Sequence, residues 1–260
     1  MRYFVFLAIL LAFTSCRSTY FFATLDTSNE YVEKVENGDF LFETDSLWIA
    51  YCFKGENAPV QITAFNKTDK PFYIDWNRSA LIIDNMAVTY AGEKRDYFEK
   101  WANSESVAAS DNTTFIPPQS MVSEIPLYLS PNFEQIDNKD YRNAYVGNRF
   151  NEAFSVKRID FEESATPLKF SSYLTIYAQP DKPMVFTQDF YLKNLIKATG
   201  VQPNDLANDM ANRGDFFYTI KPANNSALYT TLTVIGVAGL AIVGAIYGEP
   251  VNIDAGYDND

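Results

Sequence analysis

The order of apolar and polar positions changes rhythm along this chain, and each change marks an element. Residues 4–13 (FVFLAILLAF) are apolar without a break. That length suits the apolar core of a secretory signal and falls short of a membrane span. Residues 20–25 (YFFATL) read as an early strand, and from residue 40 the strand signals are dense. Residues 47–54 (LWIAYCFK) are a nearly continuous run of β-formers. Residues 60–67 (VQITAFNK) alternate, with Val60, Ile62 and Ala64 on one face, Gln61 and Thr63 on the other, and Phe65 crossing. Turn-forming stretches, GENAP and TDKP, separate such runs. Residues 72–76 (FYIDW) form a short strand, and two more flank Asp84-Asn85. Strands divided by short turns predict antiparallel neighbours in a sandwich or barrel.

Later segments break that rhythm. Tyr97, Phe98 and Trp101 fall at helical spacing, so residues 93–106 predict a short helix or an aromatic-pinned loop. Residues 113–129 resume strands, and Pro117-Pro118, which cannot donate to a ladder, mark an edge or a bend. Residues 130–154 read as a long polar insert, open to partial order. Residues 167–179 and 183–198 predict a strand, a turn and a long strand whose end is also compatible with a helix. Residues 201–215 (VQPNDLANDMANRGD) predict a helix with Pro203 in its first turn and Gly214 at its stop. Residues 216–220 are a last strand. The expectation is a mainly β protein: an antiparallel Ig-like β-sandwich with short helices over residues 16–220.

The two ends of the chain point to a membrane. Arg2 precedes the apolar run, and Phe13-Thr14-Ser15 places small residues before Cys16. This resembles a bacterial lipobox, with Phe13 where leucine is usual. The resemblance implies a signal peptide over residues 1–15 and a lipid on Cys16, the first mature residue. The competing readings are a plain signal peptide with Cys16 as an ordinary thiol, or a Cys16–Cys52 disulfide. The chain has only two cysteines, so lipidation of Cys16 leaves Cys52 without a partner. Cys52 lies in an apolar run and reads as a buried small hydrophobe.

Residues 227–247 carry no charge and are long enough for a spanning helix of about 20 residues. Gly236, Gly239, Ala241, Gly244, Ala245 and Gly248 punctuate them. Gly244 with Gly248 and Ala241 with Ala245 make small-xxx-small pairs, which let helices approach closely in lipid. Three readings stand: a single span, a helix packed on copies of itself or on a partner membrane helix, or a segment folded onto the protein or the membrane surface. The tail, residues 248–260, has acids and no Lys or Arg, whereas Arg213 and Lys221 lie on the other side. The positive-inside rule therefore opposes a tail in the cytoplasm.

Charge and composition narrow the chemistry. The net charge is −12, from 21 basic and 33 acidic residues, and removing residues 1–15 takes away only Arg2. An acidic chain argues against nucleic acid as a partner. Histidine is absent, which excludes Ser-His-Asp and Cys-His catalysis, His-ligated zinc and a His general base. Carboxylate pairs abound, but no pair stands out for acid–base work. The acids of the tail do not match the spacing of a calcium loop. The sequence thus gives no catalytic residue, no metal and no cofactor, and the expectation is a non-enzyme.

One stretch carries candidate contacts. Asn66-Lys67-Thr68-Asp69-Lys70-Pro71 is turn chemistry, in which Asn and Asp cap their own backbone and Pro presets φ. Beyond it, Asp75 and Arg78 flank Trp76. They read either as an ion pair with an aromatic at a sheet corner or as a ligand-contacting loop, and burial of Trp76 separates the two.

The segments at residues 18–22, 66–76, 79–85 and 116–118 together resemble a group of uncharacterised Bacteroidota cell-envelope lipoproteins. The resemblance is scattered over residues 16–195. It implies a lipid-anchored β-sandwich on the periplasmic or outer surface and carries no catalytic residue. Bacteroidota lipoproteins sent to the cell surface usually carry acids after the cysteine, whereas Arg17 stands there here. The expected place is therefore the outer membrane, facing the periplasm. The expected role is structural or assembly work; the alternative is a carbohydrate- or peptide-binding sandwich.

Overall fold

A computed structural model describes residues 17–91, 112–150, 152–179 and 182–222. The signal peptide, Cys16, the aromatic cluster Tyr97-Phe98-Trp101, residues 227–247 with their glycines and alanines, and the tail 248–260 lie outside the described residues. Residues Ser18–Lys221 form one compact unit.

The unit is mainly β. Among the described residues sixteen strands follow one another: β1 (Thr19–Asp26), β2 (Val32–Lys34), β3 (Phe40–Glu43), β4 (Leu47–Cys52), β5 (Gly55–Glu56), β6 (Gln61–Asn66), β7 (Phe72–Asp75), β8 (Ala80–Ile83), β9 (Met86–Thr89), β10 (Thr113–Ile116), β11 (Met121–Glu124), β12 (Arg142–Gly147), β13 (Ala153–Asp160), β14 (Lys169–Gln179), β15 (Lys182–Thr199) and β16 (Phe216–Lys221). A single helical turn, α1 (Asn208–Ala211), lies before β16.

The strands make two sheets. The larger runs β10-β7-β14-β15-β1-β16-β5, with β8 and β9 added beside β14 and the β12–β13 hairpin added beside β15. The smaller runs β11-β6-β4-β3-β2. Among the described strand pairs only β16–β5 is parallel. The short turns explain this, since two antiparallel strands need only a tight connection.

The main core lies between the sheets, and alternation places it there. In β4, Leu47, Ile49 and Tyr51 are buried; in β6, Ile62, Ala64 and Asn66 are. Phe65 faces outward and stacks on Trp48 of the neighbouring strand, ring centroids 5.7 Å apart. From the larger sheet, Phe170, Phe190 and Leu192 meet Phe40, Tyr51 and Phe53. Strand β1 lacks alternation because both of its faces are covered. Phe21, Ala23 and Leu25 join the main core, while Phe22 joins a second cluster with Ile196, Leu206 and Phe216.

A chain of hydroxyls crosses the main core. Tyr90 Oη donates to Ser172 Oγ at 2.8 Å, and Ser172 Oγ donates to Tyr51 Oη at 3.1 Å. Burial pushes both phenols upward, so both stay protonated, Tyr90 as the donor at one end of the chain and Tyr51 as the acceptor at the other.

The turns follow their residues. Asp84 and Asn85 take φ values of 50° and 64° between β8 and β9, the left-handed conformation that tight hairpins demand. Pro117-Pro118 marks the point where the chain leaves β10 in the larger sheet for β11 in the smaller one. Asn66 fastens this crossing. Its Nδ2 donates to the carbonyls of Lys70 (2.6 Å) and Pro117 (3.2 Å), and its Oδ1 accepts from Thr68 N (2.9 Å) and Thr68 Oγ1 (2.8 Å). The residue is fully buried, so Asn66→Ala strips Thr68 N of its acceptor and takes one bond each from the Lys70 and Pro117 carbonyls, which keep those from Thr68 Oγ1 and Ser120 Oγ. The expected loss is about 2 kcal/mol of stability in a urea titration; a loss near zero would mean that water replaces the side chain.

Four expectations are corrected here. The end of β15 stays extended to Thr199 instead of turning helical. A register shift pairs Thr24 with Asn194 but Leu25 with Leu192, so Lys193 is an extra residue in the ladder. The bulge puts Leu192 and Leu195 on the same face, with Ile196 beyond, a spacing that imitates a helix. The insert at residues 130–154 is not merely polar: it buries Phe133 and Tyr141 and holds β12 and the start of β13. The helix expected over residues 201–215 shrinks to a 3-10 turn at Pro203–Asp205 and the single turn α1, although Pro203 does occupy a first-turn position. Cys52 is half-buried on the outer face of β4, not in the core. Burial, aided by Asp39, pushes its thiol up to about 11, so it stays protonated at neutral pH.

Candidate functional site

The corner holding Asp75, Trp76 and Arg78 is built where β7 ends. Asp75 caps a 3-10 turn, its Oδ1 accepting from Asn77 N (3.0 Å) and Arg78 N (3.2 Å). Trp76 turns inward and is 2% exposed. Its Nε1 donates to Thr114 Oγ1 at 2.8 Å, and its ring meets Tyr90 edge to face. Ser79 Oγ donates to Asp75 O and accepts from Thr175 N, while Thr175 Oγ1 donates to Arg78 O, which bolts the corner to β14. The arrangement is that of an aromatic packed at a sheet corner. Arg78 Nε lies 3.8 Å from Asp75 Oδ2, a loose exposed pair worth little.

Arg78 also reaches the outer face of the larger sheet. Its Nη1 donates to Tyr177 Oη at 2.5 Å, and its guanidinium lies 6.0 Å from the centre of that ring. Tyr177 sits opposite Tyr73 in the ladder, and Tyr73 opposite Phe115. The Tyr73 and Phe115 rings are 5.3 Å apart, and these residues are 42% and 51% exposed. So the structure brings Asp75 and Arg78 together at the surface and sends Trp76 into the core.

A separate cleft of about 520 Å³ opens at the other end of the larger sheet. Its floor is Phe216 and Tyr218 of β16. The stretch from Pro203 to Asn212, Lys54 between β4 and β5, Gly55 at the start of β5, and Arg149 in the β12–β13 loop line the rest. The stretch is held by backbone bonds, Ala207 N to Gly147 O (3.1 Å) and Leu206 N to Pro203 O (3.3 Å), and by burial of Leu206. Tyr218 is half-buried. Burial, then Glu56, pushes its phenol up, which keeps the hydroxyl a donor.

The sequence reading missed this cleft. Asn204, Asn208 and Asn212 recur every four residues and were a readable signal. Lys54 and Arg149 were not, since one follows an apolar strand and the other sits in what read as a polar insert.

Among the described residues no cluster of three or more His, Cys, Asp or Glu side chains is placed to hold a metal ion, and no helix is long and apolar enough to cross a membrane. No family model, curated protein or solved structure matches the chain.

Proposed function

We propose that this chain is a membrane-anchored cell-envelope lipoprotein with a non-enzymatic, structural or assembly role. A lipid on Cys16 attaches an Ig-like β-sandwich to the outer membrane, facing the periplasm, and the helix of residues 227–247 adds a second attachment to the same membrane. Its glycine and alanine positions pack against a copy of itself or a partner helix.

One observation carries this reading: Thr19 pairs with Lys221 in the ladder between β1 and β16. The first and last strands of the fold thus finish side by side. Thr19 follows Cys16 by three residues and Lys221 precedes residue 227 by six, so neither attachment has a long linker. Two anchors that leave the fold at one point enter one bilayer. The absence of basic residues from the tail fits a segment whose far end does not rest in the cytoplasm. The enclosed core, with most of its large aromatics inside, supports a structural role.

Membrane partition tests it. Cys16→Ala is expected to stay in the membrane fraction, because an uncharged segment of this length is itself an anchor. Cys16→Ala lacking residues 227–247 is expected in the soluble fraction. A fully soluble Cys16→Ala sinks the second attachment, and membrane retention of the doubly altered chain sinks the whole reading. Proteinase added to intact cells should leave the protein whole if it faces the periplasm.

A further inference from the structure

We propose that the cleft between Lys54, Arg149 and the Pro203–Asn212 stretch binds a carboxylate-bearing saccharide. This takes up the ligand-binding alternative and gives it a ligand class; it does not depend on lipid anchoring.

The chain has 33 acidic residues and a net charge of −12, yet none of the eleven residues lining this cleft is acidic. Two of them are cations. Neither Lys54 nor Arg149 forms a side-chain hydrogen bond or an ion pair among the described residues, whereas Lys34, Lys67, Arg78, Arg142, Arg158 and Arg213 all meet carboxylates. An anionic ligand would supply the partner these two cations lack. An arginine fork offers a carboxylate two parallel bonds, and a lysine adds a point charge.

The rest of the lining suits hydroxyls. Asn204, Asn208 and Asn212 present amides, each both donor and acceptor, which matches the mixed donor–acceptor rim of a sugar ring. Tyr218 gives an aromatic face beside them and a hydroxyl that stays protonated. The cleft volume, about 520 Å³, falls within the range of sites for small ligands. Two cations are too few for a polyphosphate or a nucleic acid held against the repulsion of an acidic chain. The amides would be wasted on a lipid tail.

The test uses the full chain in neutral detergent micelles, with trigalacturonate and a hyaluronan tetrasaccharide as acidic probes, maltotriose as the neutral probe, and inorganic phosphate as competitor, read by calorimetry. At least one acidic probe should bind with a Kd of about 1 mM or tighter. Lys54→Gln/Arg149→Gln should weaken it at least tenfold and Asn208→Ala measurably, while Lys70→Gln, which removes an exposed cation outside the cleft, should leave it unchanged. An unchanged melting temperature for the double variant shows that the loss is one of binding. The proposal is overturned if neither acidic probe saturates, if the double variant binds as well as the parent, if maltotriose binds equally, or if phosphate displaces the saccharide at equal concentration. Micelle binding says nothing about membrane partition, so this failure and failure of the anchoring reading are seen separately.

Discussion

Phe190→Ala is expected to lower the free energy of unfolding by about 3–5 kcal/mol, the largest effect of any single truncation in the main core. Phe190 is where the two sheets lock. Its ring centroid lies 5.0 Å from that of Phe53, 5.1 Å from Phe40, 5.3 Å from Tyr51 and 5.3 Å from Phe170. Removing it takes away apolar burial and leaves a hole walled by four aromatic rings. These rings also pack on one another, Phe53 against Phe40 and Phe170, so they relax poorly into such a hole and the cavity cost adds to the transfer cost. Urea titration followed by tryptophan fluorescence measures this, with the slope of the transition unchanged. A loss below about 1 kcal/mol would mean that the surrounding rings collapse into the space and that the core is softer than its geometry indicates.

The second large effect is electrostatic. Asp215 is 1% exposed, yet carries a carboxylate between Lys34 Nζ at 2.6 Å and Arg213 Nε at 2.8 Å. Lys34 Nζ also donates to Leu25 O at 2.8 Å and lies 3.6 Å from Asp26, which Lys193 contacts from the other side. The network ties β1, β2 and β15 to the start of β16. Asp215→Asn keeps the shape but leaves two cations facing a neutral amide. Breaking a fully buried pair costs about 3–5 kcal/mol; here both cations keep some access to water, so about 2–3 kcal/mol is expected. Lys34→Met should cost less, because Arg213 still satisfies the carboxylate. The reverse order would show that the lysine, not the aspartate, is the costly group to strand.

Acid should unfold the protein through the same network. Burial pushes the Asp26 carboxyl up, but the Lys193 hydrogen bond and the charges of Lys34 and Lys193 outweigh it and hold it below the ordinary value of 3.8. A lowered folded-state pKa contributes stability that is present above 3.8 and lost as pH falls through the folded value. Midpoints of urea unfolding should therefore be flat above about pH 5 and drop below pH 4.

Much of this fold is legible in the sequence where one face of a strand meets the core and the other meets water. Residues 60–66 alternate for that reason, and Asp84-Asn85 and Pro117-Pro118 announce a hairpin and a change of sheet. Legibility fails where that condition fails. Strand β1 is covered on both faces and shows only an apolar run. Strand β12 lies mostly exposed with only Val146 buried, so its pattern looks like polar loop. In β15 one extra residue reverses the alternation, and Leu192, Leu195 and Ile196 then mimic a helix. The candidate site divides in the same way. Asp75, Trp76 and Arg78 are close in sequence and were visible, but Trp76 turned out to serve packing. The cleft draws Lys54, Arg149 and Asn208 from three distant segments, and no local pattern joins them before the sheet does.

The position of β1 has a mechanical consequence. It is bonded on one side to β15 and on the other to β16, antiparallel to both. A pull on the far end of the larger sheet, with the chain held at Thr19, loads β1 along its own axis. All of its ladder bonds then share the load in shear, and none can be opened before the others. A pull that parts Thr19 from Lys221 would instead peel the same ladder one bond at a time. The first strand thus resists tension between its own N-terminal end and the rest of the fold, and it is weak against separation of Thr19 from Lys221.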